Sequence, residues 1–233
     1  MFDHGWMARH LALAGDSTAT VDQLRDRIRG MQGGIPRVPI PTHPALVDLV
    51  QLRTGGAYEV ERASLAMALL ATASAEGAWS AVVGAADFGI EAAAEMGVDL
   101  TRTVLVPDPG EHWLEATAAL LDVVTVVVLR LPEHLRRVAP TTASRISARL
   151  RKRSSALIVW GSWPGAEARI SLQGSAWSGA DHGHGRLRSR RVLLGVERGS
   201  APMQKVELWF PATDTSLSRV EQPPAPGAVS APA

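Results

Sequence analysis

Cysteine is absent from all 233 residues. That excludes a disulfide framework and a thiolate zinc site, and it agrees with a reducing cytosol. Lysine is nearly absent as well: Lys152 and Lys205 are the two lysines among 24 basic residues. The longest apolar run, Val123 to Leu129, is broken by Thr125 and falls far short of the ~20 residues that a membrane helix needs. The N-terminal MFDHGWMARHLALAG offers no apolar core of adequate length behind a basic start, so no secretory signal is expected. A soluble, cytoplasmic chain with one α/β domain and no membrane partner is the expectation.

What is present is unevenly spread. The net charge of +1 combines two opposite blocks: residues 1 to 129 carry 8 basic and 16 acidic side chains, while residues 130 to 198 carry 14 basic and 4 acidic. Nearly all of the positive charge is arginine, whose planar five-donor fork suits phosphate. A coding bias toward arginine explains its use in place of lysine. It does not explain clustering in one segment.

Along the chain, Thr20 and Gln23 form a capping box ahead of Val21, Leu24, Ile28 and Met31, the apolar face of a short opening helix ended by Gly33-Gly34. After a Pro-rich connection the pattern alternates. Strands are expected near 50–54, 80–84, 103–106, 123–129 and 155–160, and helices over 58–75, 88–96, 110–121, 133–138 and 142–153. Alternation of this kind gives βαβ crossovers and a mainly parallel sheet with helices on both faces. Arg190 to Val196 and Val206 to Phe210 read as antiparallel strands added at one edge. Gly161 to Gly185, rich in Gly, Ser and Trp, reads as a long loop. From Thr213 to Ala233 the Pro/Ala-rich composition predicts an unstructured tail. The expected organisation is thus an N-terminal helix and linker over 1–44, a core over 45–212 and a tail over 213–233.

Within the core, VQLRT followed by Gly55-Gly56 and a helix has the outline of a phosphate-binding loop. The motif G-x-x-x-x-G-K-[ST] needs a second glycine, a lysine for the phosphates and a hydroxyl for Mg²⁺. Counted from Gly56, those three positions are Glu61, Arg62 and Ala63. The chemistry expected of such a loop is missing.

Gly97-Val98-Asp99-Leu100, Val106-Pro107-Asp108-Pro109-Gly110-Glu111 and Leu114-Glu115 closely resemble the GVD…QPDTGEQALE stretch of the RecA recombinase core. Gly33-Gly34-Ile35-Pro36-Arg37 resembles the G-G-[IL]-P-R segment ahead of the RecA phosphate loop. The resemblance covers roughly residues 20 to 210 and implies a RecA-like core. In its register, Ala85 replaces the water-activating glutamate and Arg130 falls where a Walker B aspartate would help to hold Mg²⁺. An arginine there repels the ion. The overall pattern, with a Trp-rich segment at 161–165 and a Pro/Ala tail, looks like the ImuA-type accessory proteins of actinobacterial SOS mutagenesis cassettes.

That resemblance implies a non-catalytic, cofactor-free adaptor in mutagenic translesion DNA synthesis, acting on the nucleoid after DNA damage. Its implied partner is an ImuB-type Y-family polymerase paralogue, which links it indirectly to an error-prone C-family polymerase and the sliding clamp. Single-stranded DNA is a further candidate partner. Two other readings stand beside it: a RecA-like ATPase in which Arg62 substitutes for the lysine, and a SulA-like inhibitor of cell division.

Candidate contact residues lie in the basic half. Arg145, Arg149, Lys152 and Arg153 form one stripe on the helix Thr142 to Arg153, with Ile146 and Leu150 as its apolar footing. Arg186, Arg188, Arg190 and Arg191 form a second cluster. Trp163 and Trp177 are placed to stack on bases or to anchor a partner, whereas Trp160, at the end of an apolar strand, is expected in the core. A solvated helix face is the plain alternative for the stripe. Asp181-His182-Gly183-His184 lacks a third ligand of the right kind, and no metal site is expected.

Overall fold

A computed structural model describes residues 36–132, 135, 137–181, 184–212 and 217–220. The opening helix, Gly33-Gly34-Ile35, the histidine pair's His182 and most of the tail lie outside these residues. A short helix α1 (Pro44–Val47) leads to β1 (Ala57–Val60), α2 (Ala63–Ala75), β2 (Ser80–Val83), α3 (Ile90–Glu95) and β3 (Thr103–Val106). Then come α4 (Trp113–Leu121), β4 (Val126–Arg130), α5 (Pro140–Arg153) and β5 (Ala156–Trp160). The chain finishes with β6 (Ala168–Asp181), β7 (His184–Glu197), β8 (Gln204–Trp209) and β9 (Ser218–Arg219).

All nine strands share one sheet in the order β3-β2-β4-β5-β1-β6-β7-β8-β9. Strands β1 to β5 pair in parallel, β6 joins β1 in parallel, and β7 to β9 continue antiparallel. This is the expected mixed α/β architecture. A parallel sheet must be covered on both faces, so its strands read as continuous apolar runs; Val126–Leu129 and Ala156–Val159 are fully buried. Alternate residues of those strands enter two separate cores. One packs α2, α3 and the inner side of β6–β8, through residues such as Leu69, Ala93, Ile158 and Leu194. The other packs α4 and α5, through Trp113, Leu121, Ile146 and Leu150.

Four expectations need correction. Residues 50–54 are not a strand: Arg53 makes a single antiparallel bridge to Pro39, and the strand at this place is Ala57–Val60. Leu135, Arg137 and Val138 are not helical, so the described part of 133–138 is a connection. The segment expected as a loop over 161–185 is mostly strand, the first half of a long β6–β7 hairpin. The tail contributes Ser218–Arg219, which pairs with Leu208–Trp209 and is tied to α1 by Arg219, whose guanidinium reaches Asp48 at 3.0 Å.

Candidate functional site

In a parallel sheet the strands' C-terminal ends face one crevice, where ligands of open α/β folds bind. Here that crevice is an open depression of 390 Å³ lined by Glu59, Val60, Glu61, Arg130, Leu131, Trp160, Gly161, Arg169 and Ser171. Register sets its floor: Val60 lies beside Trp160, and Trp160 beside Arg130. The Arg130 guanidinium stacks over the Trp160 ring, 4.3 Å from its centroid, and pairs with Asp87. Trp160 therefore combines a partly buried flank on the core with a place in the crevice.

Glu59, in the lining of the same crevice, is buried and engaged. Its carboxylate accepts from Arg169 Nε at 2.7 Å and from the Trp163 backbone N–H at 3.0 Å. That carboxylate, by bond and charge, holds the Arg169 guanidinium still more firmly protonated than usual. Glu61 accepts from the Leu172 N–H at 3.2 Å and lies 3.3 Å from Arg62. Gly84 follows β2 at φ +76°, and a Cβ there would stand 2.5 Å from the Arg130 carbonyl oxygen. The β2–β4 contact thus needs glycine at that point.

Glu61 and Arg130 both line this crevice, whereas Ala85, one residue beyond Gly84, is buried in the core with α2 and α3. Gly55 and Gly56 do not line it either. They precede β1, at the opposite end of the sheet, where the Gly55 N–H donates to the Ser155 carbonyl at 2.7 Å. The loop expected at Gly55–Gly56 is therefore displaced, and Glu61-Arg62 alone joins β1 to α2, with Ala63 already helical. Two residues cannot hold the eight-residue motif. Beside Gly56 lies a second polar knot: Arg37 reaches Glu167 at 2.5 Å and donates to the Thr54 carbonyl, and the Tyr58 hydroxyl accepts from the Arg53 N–H at 2.8 Å. Burial and the Glu167 charge push the Tyr58 phenol well above its ordinary range.

The model of a protein family described as the MT3502 N-terminal domain matches residues 45–165, more than half of the chain. The chain belongs to the MT3502 N-terminal-domain family. It is also similar to the uncharacterized protein Rv3395c of Mycobacterium tuberculosis, with 36% identity over 140 residues. That alignment covers 60% of this chain and 63% of the relative, just under two thirds of the relative's length.

In this member of the MT3502 N-terminal-domain family, the expected contact residues fall into three groups. Trp163 is a correction: it is 2% exposed and packs in the core against α4 and α5, so it offers no ring to a ligand. Its indole sits under the sheet because its own N–H backbone group is anchored to Glu59, a tie that spans 104 residues. The helical stripe is divided. Arg149 forks onto Asp122 at 2.7 and 2.6 Å, and Arg153 reaches the same carboxylate at 3.1 Å. Arg145 and Lys152 are exposed and make no ion pair among the described residues. The bond from Arg149 holds the Asp122 carboxyl below the usual carboxylate range.

The third group lies beyond the matched region, on β6 and β7. Trp177 is 49% exposed, with the Arg190 guanidinium 5.6 Å from its ring centroid. Arg191 pairs with Glu207 on the neighbouring strand. Arg186 and Arg188 are exposed and have no ion pair among the described residues. Sequence reasoning missed Glu59, Arg169 and Asp87, which organise the crevice; Glu59 inside the apolar AYEV strand was the signal available. Among the described residues no group of three or more His, Asp or Glu side chains could hold a metal, and no helix is long and apolar enough to cross a membrane.

Proposed function

We propose that this chain is a RecA-fold, ImuA-type accessory protein, a non-catalytic adaptor that binds an ImuB-type polymerase paralogue during mutagenic translesion DNA synthesis. The observation that carries the reading is the two-residue Glu61-Arg62 connection between β1 and α2. An NTPase of the phosphate-loop type wraps backbone N–H groups of a Gly-rich loop around its phosphates, and no such length of chain exists here.

The crevice supports the same reading through its charges. Glu59 and Arg169 answer each other, and Arg130 answers Asp87, so the side chains that would meet a nucleotide and its metal are engaged within the protein. An arginine stacked on Trp160 at the end of the central strand also opposes Mg²⁺ binding by plain Coulomb repulsion. Under the adaptor reading, the fold is kept as a rigid platform and its outer surfaces make the contacts.

The test is a pull-down of the full chain with the ImuB-type polymerase paralogue, run beside equilibrium ATP-binding and hydrolysis assays. Capture of the polymerase without measurable ATP binding is expected. Micromolar ATP binding abolished by Arg62→Ala would overturn the non-catalytic part. Association with the cell-division GTPase in place of the polymerase would overturn the adaptor part.

A further inference from the structure

Strands β6 and β7 extend well past the sheet that holds their bases. β1 pairs with β6 only over Ala168–Ile170, and β8 pairs with β7 only over Arg191–Val196. Past Arg190, whose backbone still bonds to Phe210 and Pro211, the hairpin is two-stranded. Gln173 to Ala180 and Gly185 to Arg188 are exposed on both faces of the ribbon. Such an arm buries almost nothing, so its residues are not explained by the core.

Its composition is one-sided. From Gln173 to Arg191 the chain has four arginines against one carboxylate, Asp181. Arg190 sits on the regular ladder, while Arg186 and Arg188 fall in the irregular stretch of β7 between Gly185 and Ser189, opposite Gly179. Trp177 shares a face with Arg190, because the two are directly opposite in the antiparallel ladder. The cations recur every two residues in sequence, a reach of at most about 7 Å of extended chain per step, on the scale of one nucleotide in an extended strand. Neither Arg186, Arg188 nor Arg190 has an ion pair among the described residues, and Arg190 Nε is buried without a hydrogen-bond partner there.

The backbone is shaped to present this row. Register shifts fall between Leu172 and Gly174 and between Ser178 and Ala180, each at a place where a bulge twists and re-aims a ribbon. Gly179 sits in the second, at φ +109°, and a Cβ there would stand 2.4 Å from the Arg186 carbonyl oxygen and 3.0 Å from Arg188 Cγ. Glycine at 179 lets the stem of Arg188 lie across the opposite strand.

We infer that the β6–β7 arm is a binding site for single-stranded DNA, with Arg186, Arg188 and Arg190 along the phosphates and Trp177 stacked on a base. A row of unpaired arginines interleaved with an exposed aromatic is the arrangement that tracks a flexible strand without reading its sequence. An acidic protein segment would use the arginines but would leave the half-exposed indole without a role. The choice of DNA over RNA rests on the adaptor reading; the strand-binding geometry does not.

Fluorescence anisotropy of a labelled 20-nucleotide oligo-dT with the full chain tests it, with the matching duplex and oligo-U as further arms. Three neutralised phosphates predict a log–log salt slope of about −2. Trp177→Ala is expected to weaken binding about ten-fold while Trp177→Phe keeps most of it, and Arg186→Ala/Arg188→Ala to flatten the slope by about 1.4. Arg145→Ala/Lys152→Ala on α5 should leave both unchanged. Unaltered binding in the arm variants would overturn the inference, as would a ten-fold or greater preference for duplex or for oligo-U. If DNA binding is lost in the arm variants but polymerase capture never occurs, the adaptor reading fails and the arm stands. Intact capture with no DNA binding by the parent chain sinks the arm alone.

Discussion

Two arginine clusters look equivalent in sequence and differ in what answers them. On α5, Arg149 and Arg153 converge on Asp122, and Arg151, Lys152 and Arg153 fill the last turn, where positive charge offsets the helix's negative end. The same helix buries Ala143, Ile146 and Leu150 against the sheet. Much of its charge therefore has a structural use. The arm on β6 and β7 carries Arg186, Arg188 and Arg190 with no ion pair among the described residues, and Arg186 and Arg188 are exposed. Charge density cannot separate these cases. The discriminating residue is Asp122, 27 positions before Arg149 and adjacent to it only after α4 and α5 pack together.

The comparison extends to Arg169, which answers buried Glu59 in the crevice, and breaks most visibly there. Arg169→Ala strips the partner from buried Glu59. A fully buried pair costs about 3–5 kcal/mol to break from one side; with the Arg169 side chain half exposed, about 2–3 kcal/mol is expected. Arg186→Ala and Arg188→Ala should each stay within about 0.5 kcal/mol of the parent chain. Urea unfolding midpoints measure all three. Replacing both members of the pair, as Glu59→Leu/Arg169→Leu, should cost less than Arg169→Ala alone, since no charge is left unanswered. Equal losses at Arg169 and Arg188 would erase the distinction between answered and unanswered cations.

These pairings also explain which parts of the molecule the sequence made legible. Strands β2, β4 and β5 and helices α2 to α5 were readable because buried parallel strands are short apolar runs and the segments between them are rich in helix formers such as Ala, Leu and Glu. β1 was misplaced by several residues. Its AYEV carries Tyr58 and Glu59, polar groups that look wrong for a central strand until Glu167 and Arg169 arrive from 109 and 110 residues away. With β1 hidden, Gly55-Gly56 took the place of the phosphate loop. The arm was hidden by composition, since Gly and Ser are poor strand formers and a run of them reads as loop. Gly174 and Gly179 in fact mark the two bulges, a signal that glycine inside a strand commonly gives. Trp163 misled for the reverse reason: it lies in a short connection, yet that connection folds under the sheet.

A smaller change sharpens the comparison by converting one cluster toward the other. Asp122→Asn keeps the shape of the acceptor and removes its charge, which releases Arg149 and Arg153 beside the already exposed Arg145 and Lys152. If internal pairing is what keeps the stripe from acting, the variant should gain affinity for a flexible polyanion. Two newly available cations predict a salt slope steeper by about 1.4 for single-stranded DNA. Arg149→Ala in the Asp122→Asn background should take back about half of that gain. No gain at all would mean that the stripe's geometry, and not its pairing, keeps it from phosphate.

The smallest effect comes from titrating the same carboxylate. Arg149, through its hydrogen bond first and its charge next, and then Arg153, hold the Asp122 carboxyl below its ordinary value. A folded-state value below the unfolded one means that the pair stabilises the protein above about pH 3.9, the unfolded value. That contribution fades as pH falls through the depressed folded value, because the unfolded chain then binds the proton more readily. Thermal unfolding of the parent chain and of Asp122→Asn should therefore differ slightly at pH 6, the parent melting higher, with the gap narrowing below about pH 3.9 and closing once pH passes below the depressed folded value. The pair is solvent-exposed, so high salt should shrink the gap at pH 6 as well. A gap that survives both acid and salt would assign the Asp122 contact to shape rather than charge, and α5 would then resemble the arm more closely than its ion pairs suggest.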